Sequence, residues 1–139
     1  MTPWRAIYDT SAILSSMTPA PNRGSIIWHW MESGVVEPIV SDYLIDELVA
    51  SIAEPRFRLS RDQRTSIITE YLQHALTFDR VPPSGAYCRD PDDIPVLDLA
   101  IWQQVDVIIS TDPDLLDLDG EFAFRIVNLA GFQAMLTSM

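Results

Sequence analysis

Two distant segments of this 139-residue chain share one form. Ile7-Tyr8-Asp9-Thr10-Ser11 and Val107-Ile108-Ile109-Ser110-Thr111-Asp112 each pass from apolar residues that fit a buried strand to an aspartate beside a hydroxyl residue. An aspartate directly after a buried strand is costly without a role, and in an open α/β sheet such strand ends face the ligand crevice. Between them lie Glu47 and the run Asp90-Pro91-Asp92-Asp93. If Asp9, Glu47, Asp93 and Asp112 converge, each pair at about 6 Å repels by roughly 3 kcal/mol at an effective dielectric of about 20. Such a cluster takes up protons or binds cations. Its oxygen donors favour Mg2+ or Mn2+ over Zn2+, which prefers the histidine and cysteine this chain nearly lacks. Ions held this way activate water and stabilise the charge that develops during in-line attack on a phosphodiester.

The neighbouring residues divide by role. Thr10 and Ser11 read as an N-cap that also offers Asp9 a hydroxyl to orient it. Asp90 and Asp92 fit either turn formers around Pro91 or support for the metal. Asp114, Asp117 and Asp119 read as helix N-terminal or solvated charges, with Asp114 the best candidate of the three for a supporting carboxylate near Asp112. Arg56, Arg58, Arg61 and Arg64 gather in one stretch, where they either contact RNA phosphates or an acidic partner, or form a solvated face pairing with Glu54, Asp62 and Glu70. His29 and His74 lack a partner pattern for acid–base work. Trp28, Trp30 and Trp102 occupy helical positions suited to packing.

Positioning these groups requires alternating strands and helices. Residues 4 to 9 read as a strand, and Asn22 to Ser33 as an amphipathic helix ended by Gly34. Val35 to Val40 form a second strand, after which Ser41 caps a helix from Asp42 to Ala53 with Leu44, Ile45, Leu48, Val49 and Ile52 on its apolar face. Glu47 lies beside that face, near enough to point toward a cleft. Ser60-Arg61-Asp62-Gln63 is a capping box opening a helix to about Phe78. A polar stretch from Arg80 to Pro95 leads into a helix over Val96 to Gln104. Then come a strand Val107 to Thr111, a short helix Asp114 to Leu118, a strand Phe124 to Val127 and a helix Leu129 to Leu136. This alternation predicts an α/β fold with a mostly parallel sheet covered on both faces.

Length and a hydrophobic content of 47% fit one domain spanning residues 1 to 139. The first residues lack the apolar region of a signal peptide, and the single cysteine, Cys88, fits a reducing compartment, so a soluble cytoplasmic protein without a membrane partner is expected. The net charge of -11 argues against a basic coat for nucleic acid, although part of that charge belongs to the acidic cluster itself. All nine basic residues are arginine. The P-loop phosphate clamp and Schiff-base chemistry, which need lysine, are therefore excluded.

Taken together, Tyr8-Asp9-Thr10-Ser11, Ser41-Asp42-Tyr43-Leu44-Ile45-Asp46-Glu47-Leu48, Pro55-Arg56-Phe57-Arg58-Leu59, Cys88-Arg89-Asp90-Pro91-Asp92-Asp93 and Ser110-Thr111-Asp112-Pro113-Asp114-Leu115-Leu116 resemble the PIN domain. The resemblance runs in order over nearly the whole chain and is closest to the toxin components of bacterial and archaeal toxin–antitoxin pairs. It implies a three-layer α/β/α sandwich and a ribonuclease dependent on Mg2+ or Mn2+. It places the family's first acid on Asp9, with the adjacent hydroxyl on Thr10 or Ser11, and the second, third and fourth acids on Glu47, Asp93 and Asp112. It further implies an RNA substrate, a cognate antitoxin and a homodimer formed through apolar helix faces. Ile94-Pro95 and Pro113 depart from the pattern, since relatives often carry polar or basic residues there.

Two other functions share these residues: a degenerate PIN fold that binds RNA or protein without cleaving it, and a nuclease acting on DNA. A haloacid-dehalogenase-like phosphatase would need an aspartate where Ser11 stands, and a receiver domain would need a lysine.

Overall fold

The computed structural model describes residues 2–17 and 25–138. In chain order these form β1 (Trp4–Tyr8), α1 (Thr10–Met17), α2 (Ile26–Glu32), β2 (Val36–Ser41), α3 (Asp42–Ile52), α4 (Arg61–His74), β3 (Leu76–Phe78), α5 (Ile94–Gln103), β4 (Val107–Ile109), α6 (Pro113–Leu116), β5 (Arg125–Val127) and α7 (Leu129–Thr137). Single 3-10 turns occur at Pro55–Phe57 and Pro91–Asp93. Among the described residues, no helix is long and apolar enough to cross a membrane.

Consecutive apolar residues without alternation suit strands covered on both faces. Ala6, Ile7 and Tyr8 of β1 and all of β4 are buried, and the two strands pair in parallel with Ala6 opposite Val107 and Tyr8 opposite Ile109. The five strands are all parallel in the order β3-β2-β1-β4-β5, and helices flank the sheet as the three layers of an α/β/α sandwich. The chain winds outward from β1 through β2 to β3, then returns to the other side of β1 as β4 and β5. Winding therefore reverses between β1 and β4, and at such a switch point the strand ends leave a crevice open to a ligand.

The layers are locked by large side chains. Phe132 of α7, fully buried, meets Trp4 and Trp30 edge-on at ring separations of 5.5 and 4.9 Å, a favoured aromatic geometry. Tyr71, the buried residue of α4, packs against Trp28 of α2. Trp28 and Trp30 are thus core residues, whereas Trp102 is half exposed and braces Phe78 at 5.6 Å.

The structure corrects several sequence expectations. The helix expected to reach Phe78 stops at His74: Ala75 turns extended, and Leu76–Phe78 pair with Ile39–Ser41 as the short edge strand β3. Apolar Leu76-Thr77-Phe78 suits either state, and pairing with β2 decides it. Thr10 and Ser11 lie in the first turn of α1, and the cap position falls to Asp9, whose carbonyl accepts from Ala12 and Ile13 N–H. The helix expected from Asn22 begins at Ile26, capped by Ser25, with residues 22–24 of that expectation outside the described residues. On α3, Leu44, Leu48 and Ile52 are buried, but Val49 is 46% exposed and does not belong to the inward face.

Candidate metal centre

Asp9 stands just past β1, and its N–H donates to Ile109 O at 2.9 Å, which ties it to the end of β4. It is only 5% exposed. Its Oδ2 accepts from the hydroxyls of Ser11 and Ser110, each at 2.8 Å. Both serines are held in turn by main chain from the β4–α6 turn: Thr111 N–H donates to Ser11 Oγ at 3.1 Å and Asp112 N–H to Ser110 Oγ at 2.9 Å. Each hydroxyl spends its one proton on Asp9 and accepts from the backbone. Burial pushes the Asp9 carboxyl above its ordinary range, the two serines pull it down, and the Asp112 charge adds to the rise.

Glu47 is brought to the same edge by α3. Ser41, at the end of β2, caps this helix by accepting from Leu44 N at 3.3 Å. With Leu44 and Leu48 turned inward, Glu47 falls beside them and is half buried. Burial raises its carboxyl, the Thr10 hydroxyl bonded to it lowers it, and the charges of Asp9, Asp92 and Asp90 raise it further.

The third corner comes from the turn before α5. Asp90 accepts from Asp92 N at 3.0 Å and shapes the 3-10 turn, leaving Asp93 at the start of α5 with no capping bond. Asp112 accepts from Asp114 N at 2.9 Å and caps α6. The result is one group of carboxylates, Asp90, Asp93, Asp112 and Asp114, each with an oxygen within 4.8 Å of the others. At that separation a pair repels by roughly 3 kcal/mol at an effective dielectric of about 20. Asp93 is 8% exposed, and its Oδ2 is buried without a hydrogen-bond partner. Burial first, then the Asp112 carboxylate that accepts its proton and the charges of Asp112, Asp9 and Asp90, push the Asp93 carboxyl up to about 8.

An orphaned buried carboxylate oxygen among three more carboxylates fits a hard divalent cation. Arg89, which pairs with Asp114 at 3.1 Å and Asp117 at 2.5 Å, offsets part of the charge from outside.

The structure brings Asp93 and Asp112 together and couples Asp9 electrostatically to both. Glu47 is linked to Asp9 through the Thr10 side and through charge, outside the tight group of four. Asp90 and Asp114 are cluster members rather than turn or surface groups alone. Asp92 is exposed, and its carbonyl accepts from Tyr43 Oη at 3.3 Å. Asp119 lies apart, paired with Arg125 at 3.0 Å. Arg56 pairs with Glu54 at 3.5 Å and stacks over Phe57, Arg58 is exposed, and Arg61 and Arg64 border a groove between α3 and α4 with Val49 and Ile68. His29 and His74 are exposed. Cys88 is buried, and burial pushes its thiol up.

Sequence reasoning missed two residues here. Ser110 was visible only as one of the two hydroxyl residues before Asp112, two positions from it as Ser11 is from Asp9. Tyr43 carried no signal beyond its place at the start of α3. A family model described as PIN domain matches residues 5–114, a span that holds every carboxylate of the cluster together with Asp9 and Glu47. No curated protein matches the chain.

Proposed function

The chain belongs to the PIN domain family, a family of nucleases, and from that membership we propose that it is a metal-dependent endoribonuclease acting as the toxin of a toxin–antitoxin pair. The observation that carries the nuclease reading is the orphaned Asp93 Oδ2, buried in a group of carboxylates beside Asp9 at the switch point of the sheet.

Asp9, Asp93 and Asp112, with Asp90 and Asp114 beside them, would hold Mg2+ or Mn2+, and Glu47 stands near Asp9 outside that group. When bound, such an ion polarises a phosphate oxygen and lowers the pKa of water. The rest falls to the chain. Ser11 and Ser110 fix the orientation of Asp9, and Thr10 fixes Glu47. Asp93 would hold such an ion as its carboxylate, the proton it carries below about pH 8 being released to solvent. Glu47, raised by burial and outside the tight group, is the proton acceptor: the water oxygen attacks phosphorus, its proton passes to a Glu47 carboxylate oxygen, and the bond from phosphorus to the 3′ oxygen breaks. The departing 3′ oxygen takes a proton from solvent, which leaves 5′-phosphate and 3′-hydroxyl ends.

The toxin reading and a homodimer through apolar helix faces rest on the resemblance of the motifs, and a cytoplasmic location on the single cysteine. Arg56, Arg58, Arg61 and Arg64 offer a surface for RNA or an acidic antitoxin segment. Incubation of purified protein with defined RNAs and Mn2+ should give cleavage that Asp9→Asn abolishes, and matched DNAs should be spared. Absence of cleavage together with absent divalent-ion binding by calorimetry would make the chain a binding module instead. Co-expression with the product of an adjoining reading frame should suppress the activity.

A further inference from the structure

Along the same carboxyl-terminal edge of the sheet lies a cavity of about 280 Å3, lined among others by Tyr43, Phe78, Arg80, Pro95 and the aspartates Asp42 and Asp79. β2 ends at Ser41 and β3 at Phe78, so the cavity sits over strands one and two places from β1, about 5 and 10 Å along the edge from the strand that carries Asp9. Tyr43 forms the shared wall. Tyr43 lines the cavity and is 41% exposed, and its hydroxyl donates to the carbonyl of Asp92 in the acidic turn. Phe78 is held from behind by Trp102.

Arg80 supplies a second, independent observation. It has φ 53, the left-handed region that is unfavourable for a side-chain-bearing residue. Arg58 and Gln104 share that conformation, but both close the last turn of a helix, where a left-handed residue is expected. Arg80 caps nothing and stands in the loop after β3. Among the described residues it has no hydrogen-bond or ion-pair partner, in a chain where 20 acidic residues face nine basic ones. Arg80 thus stands on the cavity wall in a conformation that costs free energy, with its guanidinium free to meet a ligand.

We infer that this cavity receives one guanine base of a single-stranded RNA substrate, stacked on Tyr43, with Arg80 on an adjoining phosphate. The inference rests on the nuclease reading and names the substrate's recognition element. Unpaired bases are read by aromatic stacking and by their Watson–Crick edges. The carboxylates of Asp42 and Asp79 make no hydrogen bond or ion pair among the described residues, and Asp98, also on the cavity wall, already accepts from Ser84 N and Oγ. The cavity thus offers free carboxylate acceptors. Guanine presents two adjacent donors, N1–H and the N2 amino group, which one carboxylate accepts together. Adenine and cytosine set a ring-nitrogen lone pair beside their amino group, and uracil flanks its N3–H with carbonyls. Each of those edges opposes a carboxylate.

The test is fluorescence anisotropy with labelled uridine octamers carrying one central G, A, C or U, in Ca2+ to limit turnover. The G octamer should bind at least about fivefold tighter than the other three. Arg80→Gly should weaken all four by about five- to twentyfold and lower the salt dependence by about one ion. Because glycine adopts this φ freely, Arg80→Gly should melt no lower than wild type, which separates lost recognition from lost folding. Tyr43→Ala should weaken binding, with Tyr43→Phe restoring it, and Asp42→Asn with Asp79→Asn should erase the preference for G. Equal binding of the four octamers, or wild-type binding by Arg80→Gly, overturns the inference. Cleavage of the same octamers in Mn2+ without preference for G also overturns it while leaving the nuclease reading intact. G-selective binding without cleavage supports the cavity and overturns the nuclease reading.

Discussion

Ser110 donates its hydroxyl proton to Asp9 Oδ2 at 2.8 Å across a sequence separation of 101 residues, and in the same arrangement accepts the N–H of Asp112. One serine therefore fixes both strand-end aspartates, the first through its side chain and the second through its backbone. A hydrogen bond to a charged group contributes about 1.5–3 kcal/mol, and a buried group left unsatisfied costs about as much.

Ser110→Ala removes both links. It should lower RNA cleavage by roughly 10- to 100-fold and destabilise the fold by about 1–3 kcal/mol. Ser11→Ala should act similarly, and the double variant should lose less than the sum because the hydroxyls share one acceptor. Single-turnover rates and denaturant melts measure these effects; a Ser110→Ala enzyme with wild-type rate would refute the role given to the clamp.

Without divalent ions, stability should depend on pH in an unusual direction. Asp93, Asp9 and Glu47 are all raised in the folded protein. Between the ordinary carboxylate range and about 8, where Asp93 titrates, the folded chain keeps protons that the unfolded chain has released. Unfolding therefore becomes easier as pH rises through that window. Asp119, held low by Arg125, opposes this only at the acidic end, where its contribution is lost as pH falls. In EDTA the Tm should drop by roughly 5 °C from pH 5.5 to 8.5, and Asp93→Asn should flatten the slope. A Tm that climbs over this range would contradict the assignment.

Divalent ions should reverse that trend. Mg2+ or Mn2+ competes with the protons on the cluster, so the gain in Tm should be larger at pH 8 than at pH 5.5. Calorimetry in two buffers of different ionisation enthalpy should detect proton release on binding. Binding without proton release would argue that the ion does not displace the Asp93 proton.

Arg89 shares Asp114 with the cluster from an exposed position. Arg89→Gln should tighten Mn2+ binding by roughly two- to fivefold, because it removes a competing cation. Weaker binding in this variant would show that the guanidinium orients Asp114 instead.

Phe132 is fully buried between Trp4 and Trp30. Phe132→Ala should cost about 3–5 kcal/mol, read by chemical denaturation. At a temperature where it remains folded, its cleavage rate should match wild type, since the aromatic contacts lie in the layers rather than at the strand ends.

The strand-end aspartates were legible because a charged residue straight after a buried run is conspicuous in one dimension. Glu47 was legible because helical spacing puts it beside Leu44 and Leu48. Asp90 and Asp114 were harder: a turn aspartate has the same local signature whether it faces solvent or a cluster, and only the meeting of the α5 and α6 turns decides. The same limit hid β3, since Leu76-Thr77-Phe78 becomes a strand only when β2 is there to pair with it. Arg80 illustrates the extreme, because nothing in its neighbours announces a left-handed backbone.

The clamp on Asp9 also sets when the acidic site is complete. Its donors lie at residues 11 and 110, and the amides that steady them at 111 and 112. A nascent chain that has folded β1, β2 and β3 has the first aspartate but neither Ser110 nor the carboxylate of Asp112. A site assembled this way is incomplete while most of the chain is still being translated, and closes only after β4 takes its register beside β1.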